Sequence, residues 1–385
     1  MQKQRILCVL PVLPEATSGG GVLLHELLQY LLSRGTVVAM APVHAYRRPQ
    51  YEKLLDDDKL RGIEWHPLEE HRAPGMLGML GRAMAATPSE VSKFTTSNNR
   101  RLLKAVRDHC RPTVELAVSS WALAAYDGHA FVPATRLYMV NVDPDIVRHD
   151  GPPLSRKLAC AIDRPKVARL CRQALATASR VGSISERDVP ALNRMGGRHD
   201  VAHIPPLMRP RFVNRSAVEP FTALITTNYT HSQNATSLRW FLRECWPHVD
   251  SRARLMITGK DDGCALARLC DDLPRVRYAG LLSDSQLDMA FAHSSVVVNP
   301  TTEGSGFQIK LLDAIARGVP VVSTAFSNRI GAAIPSSDDP RTLAELINSR
   351  LESTNGGPFD YAAFHRLAVA AWDDFLFDCH SYRCL

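Results

Sequence analysis

Residues 294 to 324 read SSVVVNPTTEGSGFQIKLLDAIARGVPVVST. Val296 to Val298 form a β-branched run short enough for a buried strand. Asn299 and Pro300 stop it. Small residues from Thr301 to Gly306 predict a turn, and a helix follows from about Phe307 to Arg317. Gly318 and Pro320 end that helix. Val319 to Val322 reads as the next strand. Gly304 and Gly306 stand where the helix begins, and a helix N-terminus offers unpaired N–H groups and a positive dipole end to phosphate. Ser305 with Gln308 fits a capping box. Lys310 and Asp313, spaced i,i+3, share a face near the loop. A cation for phosphate and a carboxylate for ribose hydroxyls suit a nucleoside diphosphate. A capped helix with an exposed Lys–Asp pair explains the same spacing, and spacing alone does not choose.

The rest of the chain sets the frame. Its 385 residues suit two domains, and 45% hydrophobic content suffices for buried cores. No apolar stretch reaches the roughly 20 residues a membrane span needs. The opening MQKQRILCVLPVLPEATSGGG is broken by prolines and reads as a first strand rather than a signal peptide. The nine cysteines are scattered without metal-ligand spacing and read as reduced thiols of a cytoplasmic protein. A formal charge of +7 favours anionic partners: nucleotides first, or peripheral contact with an anionic membrane. Without aromatic-basic interleaving or a recognisable module, nucleic acid is excluded as the expected partner.

Arg5 to Leu13 predicts the first strand. Gly19, Gly20 and Gly21 follow, then a long apolar-periodic helix to Gly35 and a second strand from Thr36 to Pro42. A glycine turn at the first strand's end lies at the ligand edge of a parallel sheet. A tight turn needing positive φ is the plainer alternative. His25, one turn into the helix, reads as packed or solvent-facing. Asp56 to Asp58 reads as a solvated surface, and Pro74 to Ala86 as a mobile acceptor-side segment. Further strands are expected at Ile63–Leu68, Val114–Val118 and Leu137–Val142, and a helix at Asn98–Cys110. Ser119, Ser120 and Trp121 stand at one strand end, Asp143-Pro144-Asp145 beyond another. That Asp-x-Asp could hold Mg²⁺ or Mn²⁺, or simply turn the chain.

Residues 1–205 thus form a first Rossmann-like domain and 206–220, with Pro205 and Pro206 at its start, an irregular linker. Residues 221–360 form a second such domain, with an amphipathic helix expected over Asn234–Val249. Residues 361–385 carry a last helix, Tyr361 to Phe377, that either crosses back to the first domain or simply closes the second. The fold class is α/β: two doubly wound domains facing each other across a cleft.

The order N…SLRWFL…WP…ITG…YAG…NP…GSG…K…DA resembles the family 4 glycosyltransferases of the GT-B fold, in the branch carrying GSG, Lys and an acid-Ala pair. The resemblance is specific over residues 221 to 330 and topological before 205. It implies retaining, metal-independent transfer of a hexose-type sugar from a nucleotide-sugar co-substrate to a glycan or lipid-linked acceptor, with no other cofactor. It implies donor binding by Thr227, Lys260, Gly304, Ser305, Gly306, Phe307, Lys310 and Asp313. Lys310 and the N–H groups of Gly306 and Phe307 would hold the diphosphate, and Asp313 the ribose. The glycine loop would approach donor and acceptor. Asn141-Val142-Asp143 with Arg148 resembles that branch's Asn-Val-Glu segment, making Asp143 an alternative acceptor base. Two departures stand out. The position eight before Asp313 is Ser305, not an acid, with Glu303 out of register. The loop TTNYTHSQN has no Arg or Lys. A non-catalytic nucleotide-binding relative and a metal-using Asp-x-Asp enzyme are the rival readings.

Overall fold

The computed structural model describes residues 4–15, 19–70, 88–126, 130–142, 153–261, 263–304, 307–330, 334–352 and 359–378. The chain forms two compact units, Met1–Leu207 with Leu367–Leu385, and Met208–Arg366.

The first unit runs β1 (Gln4–Val9), α1 (Gly19–Arg34), β2 (Gly35–Val43), α2 (Arg48–Leu55), β3 (Ile63–Glu69), α3 (Ser89–Ser92), α4 (Ser97–Cys110), β4 (Val114–Val118), β5 (Thr135–Met139), α5 (Pro153–Thr177), β6 (Arg180–Ser183), α6 (Val189–Gly196) and β7 (Ala202–His203). Its strands pair in parallel in the order β3-β2-β1-β4-β5-β6-β7. All five residues of β4 are buried, as expected where helices cover both faces of a parallel sheet.

The second unit runs β8 (Glu219–Asn228), α7 (Ser232–Trp240), β9 (Arg254–Lys260), α8 (Ala265–Asp271), β10 (Val276–Tyr278), α9 (Asp284–His293), β11 (Ser294–Asn299), α10 (Ile309–Ala316), β12 (Val321–Ser323) and α11 (Pro340–Leu351). Its parallel order is β10-β9-β8-β11-β12. Each sheet therefore starts in the middle, winds outward one way, then returns and winds the other. The reversal lies between β1 and β4 in the first, and between β8 and β11 in the second. Such a switch point leaves a crevice at the carboxyl ends of the strands, where ligands of this fold bind.

The last helix, α12 (Tyr361–Phe377), passes from the second unit into the first at Leu367. Trp372 is 1% exposed and meets the Tyr138 ring edge-on at 4.5 Å between centroids. Its indole N–H donates to the Pro205 carbonyl at 2.9 Å. Arg34 forks onto Asp373 at 2.7 and 2.6 Å, and Arg180 donates to the Asp374 carboxylate at 3.1 Å. A side chain on Gly182 would strike Ile204 at 2.7 Å and Phe375 at 3.3 Å, so the strand needs glycine where α12 packs. Among the described residues no helix is long and apolar enough to cross a membrane.

Several expectations are corrected. Gly19, Gly20 and Gly21 form the first turn of α1, not a turn before it. Neither Gly20 nor Gly21 has positive φ. Gly21 is glycine because the Glu15 backbone lies where its Cβ would be. The helix expected over Asn234–Val249 breaks into α7, a π-helical turn at Phe241–Cys245 and a 3-10 turn at Trp246–His248. Pro247 explains the break, since it lacks an N–H and its ring crowds the carbonyl four residues back. Asp57 is not simply solvated: it caps a 3-10 turn and pairs with buried His25 at 2.9 Å.

Candidate functional site

At the second unit's switch point two loops meet, residues 229–231 after β8 and residues 300–308 after β11. They are tied together. The Thr302 N–H donates to the Ser237 hydroxyl at 3.0 Å. Asn234 donates its amide to the Asn228 carbonyl at 2.7 Å, and its oxygen accepts from the Lys310 ammonium at 3.0 Å. Beneath the second loop, Asn299, Thr301, Thr324 and Ser327 are buried and mutually bonded. Thr301 Oγ1 donates to Asn299 Oδ1 at 2.9 Å, and Thr324 Oγ1 donates to the Thr301 carbonyl. These bonds tie the loop to the end of β11, while the Asn299 amide nitrogen is buried without a partner among the described residues.

Gly304 sits at φ +126°, open to glycine and strained for other residues, facing the Gln233 side chain. Ser305 and Gly306 lie outside the described residues. So do Asp143, Asp145, Arg148 and the segment from Pro74 to Ala86. Helix α10 begins at Ile309, two residues later than expected, with Gln308 as N-cap and no side-chain cap bond. The capping box among the described residues is instead at α9, between Ser283 and Gln286.

Lys310 and Asp313 share α10 but not their partners. Lys310 is half-buried, and burial lowers its pKa to about 8. Among the described residues its bond is to the neutral Asn234 oxygen. Asp313 is held by Arg317, which is itself 3% exposed, bonded to Asp288 at 2.8 Å and stacked over Phe291 at 4.5 Å. Burial raises the Asp313 pKa even beside that guanidinium. The exposed Lys–Asp pair is thus not what forms: each group is desolvated and separately held. Thr227 is buried at the end of β8, and its carbonyl occupies the space beside Gly259. Lys260 is exposed at the end of β9, where its carbonyl accepts from the Tyr229 N–H at 2.8 Å. Gly19, Gly20 and Gly21 belong to the first unit. Among the described residues no cluster of three or more His, Cys, Asp or Glu could hold a metal ion.

Sequence reasoning misses Asn234, Ser237 and Arg317. Asn234 reads only as a helix start and Arg317 only as a helix end. The N-x-x-S spacing, after a strand that ends beside the loop, is the signal that points to the first two.

Residues 221–353 match the model of the family described as glycosyl transferases group 1. No curated protein matches the sequence. Solved structures do match. HepE of Anabaena in complex with UDP-glucose is 14% identical, with 96% of this chain and 99% of that chain covered at a TM-score of 0.60. Sucrose-phosphate synthase of Thermosynechococcus elongatus is 12% identical, with 97% and 96% covered and a TM-score of 0.62. TarM of S. aureus is 9% identical, with 96% of each chain covered and a TM-score of 0.63. At these identities the likeness carries the fold, two Rossmann-like domains of the GT-B type. With the group 1 match over the unit that holds Lys310 and Asp313, the chain is a glycosyltransferase of the GT-B fold.

Proposed function

We propose that the chain moves a hexose-type sugar from a nucleotide-sugar donor to an acceptor hydroxyl on a glycan or lipid-linked substrate, with retention and without a metal or further cofactor. One observation carries the reading. The Lys310 ammonium stands half-buried in the first turn of α10, answered by a neutral amide oxygen and by no carboxylate among the described residues. Burying a cation this way costs stability unless an anion completes it. A donor diphosphate at the switch point is such an anion. The N-terminus of α10 adds its dipole.

In this proposal Lys310 and the N–H groups of Gly306 and Phe307 hold the diphosphate as charge builds on it during departure. Asp313 takes the ribose hydroxyls with the oxygen that Arg317 leaves free. Thr227, Lys260, Gly304 and Ser305 complete the donor surroundings. The acceptor proton passes to the departing phosphate, with Asp143 as the alternative base. That HepE was solved with UDP-glucose, and TarM with UDP and alpha-GlcNAc-glycerol, supports this class of donor and acceptor.

The test is nucleotide release by the full chain against UDP-, GDP- and dTDP-sugars, beside calorimetric binding of the same donors. Release with one donor upholds the reading. Tight binding without release under any acceptor favours the non-catalytic relative. Neither binding nor release with any donor overturns the proposal.

A further inference from the structure

Arg317 is the C-cap residue of α10 and is 3% exposed. Nε donates to Asp288 Oδ1 of α9 at 2.8 Å. Nη1 donates to the Asp313 carbonyl at 3.2 Å and to Asp313 Oδ1. The guanidinium lies over the Phe291 ring at 4.5 Å. The backbone is held as well. The Val213 N–H donates to the Arg317 carbonyl at 3.2 Å, and the Arg211 N–H to that of Ala316 at 2.8 Å. A side chain gripped from both α9 and α10, on a backbone pinned by residues 211–213, is confined to one position.

That position fixes Asp313. Its Oδ1 is committed to Arg317, while Oδ2 accepts no hydrogen bond among the described residues and the side chain keeps 21% of its surface open. The charged groups that act on it are Arg317 of α10 itself, Arg211 of the preceding segment and Asp288 of α9. Burial is the largest influence and pushes the Asp313 carboxyl up, toward its neutral form. The two guanidiniums pull it back down, and Asp288 works against them. A neutral carboxyl suits ribose hydroxyls poorly, because one of its oxygens becomes a donor and charge-assisted acceptance is lost. A cation closing a helix C-terminus explains the bond to the Asp313 carbonyl. It explains neither the bond to Oδ1 nor the burial of a guanidinium between two acids, where an apolar side chain packed on Phe291 would avoid the desolvation cost.

We propose that Arg317 is a positioning residue for the donor: anchored by Asp288, it holds Asp313 by one oxygen and leaves the other to the ribose hydroxyls of the nucleotide. Arg317 itself touches no substrate. This role rests on the transferase reading and deepens its donor site.

The test is calorimetric binding of UDP, GDP and dTDP, each beside its 2′,3′-dideoxy form, to the full chain and to variants checked for native fold by near-UV circular dichroism. Arg317→Met should weaken the hydroxyl-bearing nucleotide that the parent binds by about 10-fold or more, the worth of a hydrogen bond to a charged group. The dideoxy form has no hydroxyl to offer and should stay within about 2-fold of its affinity for the parent. In an Asp313→Asn background Arg317→Met should likewise cost less than about 2-fold. Arg317→Lys keeps a charge without the fork. Its loss should be about 3-fold and confined to the hydroxyl-bearing form, and it carries the same comparison should the Met variant not fold. On acidification, affinity should begin to fall at a higher pH in Arg317→Met than in the parent, because the guanidinium no longer pulls the Asp313 carboxyl down. The phosphate of the ligand titrates alike in both. Equal losses for the hydroxyl-bearing and dideoxy forms reduce Arg317 to a helix cap and overturn the proposal, as does unaltered affinity. If none of the three nucleotides binds the parent, the proposal falls together with the transferase reading. Binding by the parent with an unselective Arg317→Met overturns the positioning role alone.

Discussion

Replacing Lys310 by Met keeps an unbranched side chain one atom shorter and removes its charge. Burial lowers the Lys310 pKa from 10.5 to about 8. At about 1.4 kcal/mol per unit, holding that ammonium in the folded chain costs at most about 3 kcal/mol. The bond to Asn234 returns about 1 kcal/mol. Lys310→Met should therefore be more stable than the parent by about 1–2 kcal/mol at pH 7. The sign follows from linkage. Below about pH 8 Lys310 is protonated folded and unfolded, so the whole penalty is present. Between about 8 and 10.5 the unfolded chain holds a proton that the folded chain has shed, and parent stability rises with pH. The gap between variant and parent should narrow over that window. The assay is urea denaturation of both proteins at pH 7 and pH 10. Catalysis should move oppositely, with kcat falling about 10²- to 10³-fold and donor KM changing much less, the scale for losing one preorganised electrostatic group. Parent kcat/KM for the donor, which reports the free enzyme, should decline as pH rises through about 8. A variant less stable than the parent at pH 7, or a gap equal at both pH values, refutes the buried-cation argument. An intact kcat with a raised KM refutes the leaving-group role.

Asp313→Ala should weaken nucleotide binding by about 1.5–3 kcal/mol, read by calorimetry, and unchanged affinity would reduce Asp313 to a partner of Arg317. Turnover should survive EDTA, and Asp145→Asn should cost little; loss restored by Mn²⁺ would favour the Asp-x-Asp alternative. Trp372→Ala should destabilise the first unit by about 3–5 kcal/mol and expose α12 to limited proteolysis, because a fully buried aromatic is lost. A proteolysis pattern unchanged from the parent would show that α12 is held without it.

What is legible in the sequence follows local rules. β4 and α12 stand at Val114–Val118 and Tyr361–Phe377, the limits their apolar patterns predict. Buried parallel strands read as unbroken apolar runs, and an amphipathic helix repeats within its own length. Contacts between distant residues are not legible. Gly21 reads as a turn residue until the Glu15 backbone is seen lying on it. Lys310 and Asp313 can be placed on one helix face, yet Asn234 lies 76 positions from Lys310. Arg317 reads as a helix terminus because nothing in the string shows Asp288 and Phe291 packed around it. Trp121 is visible as a residue at a strand end; that its N–H is buried and unanswered emerges only in three dimensions.

The passage of α12 into the first unit has a consequence for synthesis. A ribosome delivers the chain from residue 1 onward, and domains generally fold as they emerge. Here the first sheet is complete once β7 has emerged, yet the slot lined by Tyr30 and Tyr138 stays open until Trp372 arrives. All of residues 208–366 must be made in between. The nascent first unit thus waits with an aromatic surface and two unanswered arginines, Arg34 and Arg180, exposed to chaperones and to neighbouring chains. Any truncation before Trp372 leaves that surface open for good, so a quality-control system that reads exposed apolar surface can tell a finished chain from a broken one.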